Sequence, residues 1–102
     1  MELGDVYYEG KCGLKISLER AFQLYSHAAA QGHAAAQNKL GNCYDVGEGV
    51  KIDNKTATDW FRRAADQGHP LAQYNLGTSF YHGRGVPQSY YEAVRWWRLA
   101  AA

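Results

Sequence analysis

Apolar residues recur along the chain with the period of an α-helix, in three stretches that lie 36 residues apart. Ala57, Trp60, Phe61 and Ala64 fall at offsets 0, 3, 4 and 7, which places them on one face of a helix. The same offsets recur in two further sets, Ala21, Leu24, Tyr25, Ala28 and Ala93, Trp96, Trp97, Ala100. The pattern therefore predicts three amphipathic helices of one kind, which we call helix B.

Residues that favour helix ends flank these stretches. Ser17, Asp53 and Ser89 stand four residues ahead of the apolar faces, where a side-chain oxygen can accept a hydrogen bond from a free backbone N–H. Gly32 and Gly68 follow the stretches, as left-handed C-caps do. Each helix B is therefore predicted to begin at a polar cap, and the first two are predicted to end at a glycine.

A second apolar helix, which we call helix A, precedes each helix B. One side of it holds Ala36, Leu40, Cys43 and Tyr44, and its Leu-Gly pair recurs at residues 3–4, 40–41 and 76–77. A glycine inside a helix costs about 1 kcal/mol relative to alanine. Its recurrence therefore predicts that a neighbouring helix comes close at this point. Glycine pairs after helix A predict turns with positive φ angles.

Helix A, the glycine turn and helix B form one unit that occurs three times. The unit boundaries are predicted at 1–32, 33–68 and 69–102, the first unit being partial and one residue longer in its turn. One helix pair cannot bury its own apolar face, so neighbouring units must stack. The sequence therefore predicts a single all-α domain, a solenoid of tandem antiparallel helix pairs.

The combined pattern A-x-x-x-L-G-x-x-Y-x-x-G-x-G-V, followed by A-x-x-W-[FW]-x-x-A-A-x-Q-G, resembles the Sel-one-like repeat family. These repeats are slightly longer relatives of tetratricopeptide (TPR) repeats. The resemblance covers the whole chain and implies a right-handed, TPR-like superhelix that acts as a non-catalytic scaffold or adaptor for a partner protein or peptide. It also implies that helix A lines the concave face, where the partner would bind.

Composition and charge narrow the range of partners. Eleven Lys and Arg against ten Asp and Glu leave a net charge of +1, which does not indicate a nucleic-acid or membrane surface. No apolar run is long enough to span a bilayer. We therefore expect neither nucleic acid nor a membrane as a partner.

No sequence pattern typical of catalysis or of cofactor binding stands out. There is no S-x-x-K, G-x-S-x-G, H-E-x-x-H or phosphate-binding loop. His33 and His69 occupy equivalent positions one unit apart, which separates them too widely to share a zinc ion. We therefore expect no catalytic residues, no cofactor and no metal.

An alternative function comes from a secreted, cysteine-rich bacterial branch of the resembled family, for which β-lactam binding or hydrolysis has been suggested. That branch has a cysteine pair in each repeat, whereas Cys12 and Cys43 do not recur at the unit spacing, which counts against it. The two cysteines can be free thiols or one disulfide, and both readings stay open. Cys43 falls where the other units have Val6 and Ser79, which indicates a small core residue.

The candidate binding residues are helix A positions that differ between units while the core positions repeat. They follow the glycine, follow the aromatic residue by one or two positions, or precede the leucine by two, and these offsets share one side of a helix. The set is Asp5, Tyr8, Glu9, Asn38, Asn42, Asp45, Tyr74, Thr78, Tyr81 and His82. Its carboxylates and tyrosines predict a mildly acidic groove for a partner with Lys or Arg, whose binding weakens with salt. An ordinary solvated face is the alternative.

The last helix B carries apolar residues that no following unit would cover. Trp96, Trp97 and Leu99 lie in this helix, whereas the ends of solenoids normally carry polar caps. We therefore expect either self-association through this helix or continuation into further repeats.

Overall fold

The computed structural model describes the backbone of residues 14–102 and the side chains of residues 18–102. Within this range the chain forms five α-helices and no strand: α1 Leu14–Ala30, α2 Ala34–Val46, α3 Asn54–Asp66, α4 Pro70–His82 and α5 Tyr90–Ala101. Helices α1, α3 and α5 are the three predicted B helices, and α2 and α4 are helix A of units 2 and 3. Helix A of unit 1 lies outside the described residues.

The helices stack in chain order. Each one packs against the next along the chain, and α2 also touches α4, the helix A of the following unit. The result is an elongated body of 43 × 22 × 21 Å. This order of contacts is that of a solenoid, so the prediction of an all-α stack of helix pairs is confirmed.

Two buried clusters hold the units together, and each is shared between adjacent units. The first joins Ala21, Tyr25 and Ala29 of α1 to Ala36, Leu40 and Cys43 of α2. The second joins Ala57, Phe61, Ala64 and Ala65 of α3 to Ala72, Leu76 and Phe80 of α4 and to Ala93 and Trp96 of α5. Trp60 packs against the first cluster and Phe61 lies in the second, so the paired aromatics of α3 contact opposite neighbours.

The glycine inside helix A lies where helix B of the same unit comes close. A methyl group on Gly41 would lie 2.6 Å from Cε1 of Phe61, and one on Gly77 would lie 2.6 Å from Cδ1 of Trp97. Both distances are too short for a carbon–carbon contact. The predicted packing reason for the repeated glycine is therefore confirmed.

Two of the three predicted N-caps are present. The Asp53 side chain accepts a hydrogen bond from Thr56 N at 3.1 Å, and this bond holds the pKa of the carboxyl below its usual range. Ser89 Oγ accepts one from Glu92 N at 3.2 Å. Both bonds satisfy backbone N–H groups of a first helical turn.

The prediction of an N-cap at Ser17 is wrong, because α1 begins at Leu14 and Ser17 lies inside the helix. Leu14 and Lys15 are good helix formers. At the position of Leu14, units 2 and 3 have the β-branched Val50 and Val86, and unit 3 also has Pro87 at the position of Lys15. The extra helical residues of unit 1 therefore reflect its local sequence.

Candidate functional site

Helix A of units 2 and 3 presents the same row of positions to solvent. On α2 these are Ala35, Asn42 and Val46, and on α4 they are Leu71, Thr78 and His82, each 36 residues further along the chain. Spacings of 7 and 11 residues bring each set onto one side of its helix. Because α2 and α4 are in contact, the rows lie side by side. We call these six residues the helix-A face.

The helix-A face combines apolar side chains with a few hydrogen-bonding groups. Val46 and Leu71 are large and exposed, whereas Asn42 and Thr78 are half-buried. Thr78 Oγ1 donates to the Tyr74 carbonyl at 3.1 Å, which fixes the orientation of its hydroxyl. None of the six side chains is a carboxylate. The face can therefore hold a polypeptide segment by apolar contact and hydrogen bonds.

Asn38 was predicted to bind a partner, and the structure contradicts this. Its side chain is 2% exposed, and Asn75 Nδ2 donates to its Oδ1 at 2.9 Å. Asn75 belongs to the helix A of the next unit, so this amide pair joins units 2 and 3. The offset before Leu40 places Asn38 at the edge of α2 that contacts α4, where a partner cannot reach it.

Asp45 also takes part in the joint between units 2 and 3. Asn54 Nδ2 donates to its Oδ1 at 3.2 Å, and Arg84 Nη1 lies 3.9 Å from its Oδ2. Asp45 is the one carboxylate in α2 and α4, and it forms an ion pair with Arg84. The described helices therefore do not form the expected acidic groove. That expectation now rests on Asp5 and Glu9, which with Tyr8 lie outside the described residues.

Tyr74 and Tyr81 belong to an aromatic cluster beside the helix-A face. Tyr81 lies 5.6 Å from Trp97 and 5.1 Å from Tyr90 between ring centroids, and Tyr74 lies 6.3 Å from Trp97. Trp97 Nε1 donates to the Tyr74 carbonyl at 3.2 Å. The two tyrosines therefore point toward the exposed end of unit 3.

The structure thus divides the predicted set. Asn42, Thr78 and His82 share the helix-A face, Tyr74 and Tyr81 lie in the aromatic cluster, and Asn38 and Asp45 lie in a joint between units. Sequence reasoning missed Ala35 and Leu71 as members of the face, whereas Val46 follows Tyr44 by two positions, as His82 follows Phe80, and so lies at a predicted offset. The signal that could have found Ala35 and Leu71 is their position seven residues before Asn42 and Thr78.

The described residues hold no group of three His, Cys, Asp or Glu side chains that could bind a metal ion. Among the helices of residues 14–102, none is long and apolar enough to cross a membrane.

Cys43 is a free and buried thiol in the first cluster. Burial, with a smaller effect of the nearby Glu48 carboxylate, raises its pKa to about 11. The thiolate is the reactive form, so Cys43 of the native protein should react slowly with a disulfide reagent at pH 8.

We predict that a Cys12→Ser variant, in which Cys43 is the single thiol, reacts much faster in denaturing urea than in buffer. Because an unfolded thiol ionises near about pH 8.5 and the native one near pH 11, stability should also fall as pH rises between these values. Equal reaction rates in urea and buffer would contradict the buried position.

The Sel1 repeat model matches the chain three times, at residues 1–33, 34–69 and 70–102. The chain belongs to the Sel1 repeat family. The Sel1 repeat protein from Oxalobacter formigenes is 33% identical, with a TM-score of 0.87 over 98% of this chain and 76% of its own. A protective antigen of uropathogenic Escherichia coli with an SLR fold is 28% identical, with a TM-score of 0.80; the match covers 98% of this chain and 29% of the antigen.

Two further proteins resemble this chain, one in fold and one over part of its sequence. Cysteine-rich protein B of Helicobacter pylori is 22% identical with a TM-score of 0.78, over 98% of this chain and 81% of that one, which shows a shared fold. Chitin synthase regulatory factor 3 of Schizosaccharomyces pombe is 45% identical over 47 residues, 45% of this chain. The chain spans 5% of the length of that relative. Sel1 repeat proteins generally act as protein-interaction scaffolds.

Proposed function

We propose that the chain is a non-catalytic scaffold that holds a segment of a partner protein against the helix-A face. One observation carries the proposal: of the helix A positions buried in both units, all but Cys43 and its equivalent Ser79 repeat, whereas the exposed ones do not. Ala36, Leu40 and Gly41 recur as Ala72, Leu76 and Gly77. Over the same helices, the exposed positions change from Ala, Asn and Val to Leu, Thr and His. The buried residues therefore maintain the same packing in both units, while the exposed residues can differ to match a particular partner.

The chemistry of the helix-A face favours an uncharged partner segment over a basic one. Leu71 and Val46 offer apolar contact, and Asn42 and His82 offer hydrogen bonds to a backbone or to polar side chains. With Asp45 engaged by Arg84, the described face has little electrostatic attraction for Lys or Arg. A partner that needs Asp5 and Glu9 would instead bind through salt-sensitive contacts.

A capture experiment with paired variants tests the proposal. We expect wild-type chain to retain a partner from a lysate of the source organism, and a Leu71→Lys, Thr78→Lys variant to lose it, because both charges fall on the helix-A face. The control is Asp59→Asn with Asp66→Asn, which has the same spacing and the same change in net charge on the exposed side of α3. Circular dichroism should show all three chains folded.

Retention by the helix-A face variant, or loss by the control, would contradict the proposed location. The retained complex should also change little in affinity between about 0.1 and 1 M salt, over which the screening length falls from about 10 to 3 Å. A strong loss of affinity with salt would restore the interpretation of an acidic groove and a basic partner.

The β-lactam alternative has no support among the described residues. Cys43 is a free thiol in the core, unlike a cysteine that staples its own repeat. The likeness to the cysteine-rich protein of Helicobacter pylori is one of fold. We therefore do not propose this activity.

A further inference from the structure

The joint between neighbouring units is built from the same contacts each time. A glutamine of the incoming helix A donates to a carbonyl in the last turn of the preceding helix B: Gln37 Nε2 to Ala29 O, and Gln73 Nε2 to Ala65 O, both at 3.3 Å. The glycine turn of the incoming unit then lies over the N-terminal half of that helix B, at Leu18 and Phe22 of α1 and at Asn54 and Thr58 of α3. A helix A and its glycine turn therefore dock together as one piece.

The glycine turn fits so closely that a side chain would not be accommodated. A methyl group on Gly49 would lie 2.5 Å from Leu18 O and 2.9 Å from Phe22 Cβ. In the next joint, one on Gly85 would meet Asn54 O and lie 2.6 Å from Thr58 Oγ1. Leu18 and Phe22 of α1 correspond to Asn54 and Thr58 of α3, each 36 residues further along the chain. The glycine turn therefore docks at the same helical positions in both joints.

Unit 3 presents the corresponding surface to solvent. Thr58 is 2% exposed beneath the turn of unit 3, whereas its equivalent Val94 is 42% exposed. Three further positions are buried in unit 2 and more exposed in unit 3. Phe61, Ala65 and Asn38 of unit 2 are buried. Their equivalents in unit 3 are the half-buried Trp97 and the exposed Ala101 and Tyr74. We call Tyr74, Tyr90, Val94, Trp97 and Ala101 the unit-3 joint surface. It continues, at the same helical positions, the interface formed twice within the chain.

Residues 1–13 include a leucine, an aromatic residue and a turn glycine at the positions that contribute to both joints, although they hold no counterpart of Gln37 and Gln73. Leu3-Gly4 corresponds to Leu76-Gly77, Tyr7 corresponds to Phe80, and Gly13 corresponds to Gly85. The charges are also complementary, since residues 1–13 contain three acids and one lysine, whereas α5 contains two arginines and one acid. In the joint of units 2 and 3, Arg62 lies 5.7 Å from the centre of the Phe80 ring. Arg98 occupies the position of Arg62 and would meet Tyr7 in the same way.

We propose that a second copy of this chain docks on the unit-3 joint surface through its residues 1–13. The contact is head-to-tail, because the surface belongs to unit 3 of one copy and the segment that covers it belongs to unit 1 of the other. Such a contact leaves one surface and one segment unused in each dimer, so it can continue into longer assemblies. The association does not depend on the helix-A face or on any other partner.

The mass of the protein as a function of concentration tests this association. We expect the weight-average mass in analytical ultracentrifugation to rise beyond that of a dimer, and Val94→Arg to raise the dissociation constant by about tenfold or more. The matched control is Leu99→Arg. Leu99 is equally exposed, but it corresponds to Arg63, which stays exposed within the stack, so this variant should associate like wild type. A monomeric wild type at the highest concentration, or equal weakening by both variants, would overturn the proposal.

Disulfide trapping identifies the docked segment without altering it. Cys12 precedes Gly13, whose equivalent Gly49 lies against Phe22, and Phe22 corresponds to Val94. A Val94→Cys variant should therefore form a disulfide between position 94 of one copy and Cys12 of another, which peptide mapping detects. Leu99→Cys should not form this bond. Linkage of position 94 to position 94 would show a two-fold symmetric contact instead and would overturn the head-to-tail proposal.

Discussion

Replacing Phe61 with alanine should lower the free energy of unfolding by about 3–5 kcal/mol. The ring is 3% exposed and belongs to the cluster shared by units 2 and 3. It also fills the space beside Gly41, so its removal would leave a cavity among α2, α3 and α4. Against a typical total of about 5–15 kcal/mol, this loss would bring the chain close to unfolding at room temperature. Urea denaturation followed by circular dichroism measures it.

Trp97→Ala is the matched control for this prediction. Trp97 occupies the position of Phe61 in unit 3 and lies beside Gly77 in the same way, but no following helix of the described chain covers it. We expect its loss of stability to be less than half that of Phe61→Ala, measured at a concentration where the chain is monomeric. Equal losses would mean that the aromatic position contributes mainly within its own unit. The shared cluster would then not be the principal source of cohesion between units.

Replacing Gly85 with alanine should destabilise the protein by about 2–5 kcal/mol. The residue has a φ of 75°, which costs an L-residue about 1–2 kcal/mol. Its methyl group would also meet the Asn54 carbonyl and lie 2.6 Å from Thr58 Oγ1, and overpacking of this kind adds about 1–3 kcal/mol. Thr58 Oγ1 donates to the Arg84 carbonyl at 2.9 Å, so a shift of the turn would also disturb this bond.

Gly68→Ala separates the two parts of this expected loss. Gly68 has a φ of 87°, and a methyl group there would meet nothing within 4 Å. Its substitution should therefore cost about 1–2 kcal/mol, from the backbone conformation alone. The difference between the two variants measures the contact of the glycine turn with α3. If the two losses are the same in thermal or urea unfolding, the turn does not pack as tightly as the structure indicates.

The fold could be predicted from the sequence because its determinants are local and repeated. The apolar period of helix B and the cap at Asp53 act within one or two helical turns, and three copies of the pattern confirm each other. Ser17 failed as a cap because a good helix-forming sequence ahead of it extends α1. Whether a polar residue caps a helix depends on what precedes it, and the repeat pattern does not include those residues.

The candidate site was less predictable, because exposure depends on where the next unit lies. Asn38 and Asn42 are four residues apart on one side of α2, yet Asn38 is buried by a side chain 37 residues away in the sequence. Tyr74, at the position of Asn38 in unit 3, is 54% exposed because no described helix covers it. Leu71 was missed because the candidate positions were taken only from two residues before the Leu-Gly pair onward, although Leu71 lies seven residues before Thr78 on the same side of α4.

The central claim, that a partner binds along the helix-A face, is tested most directly by site-specific photo-crosslinking. A photoreactive amino acid would be placed at position 71, on the helix-A face, and in a separate chain at position 59, which is exposed on α3. Both chains would be irradiated in the same lysate, and the crosslinked proteins would be identified by mass spectrometry. The account predicts one partner that is enriched from position 71 and absent from position 59. Equal crosslinking from both positions, or a partner trapped from position 59 alone, would contradict it.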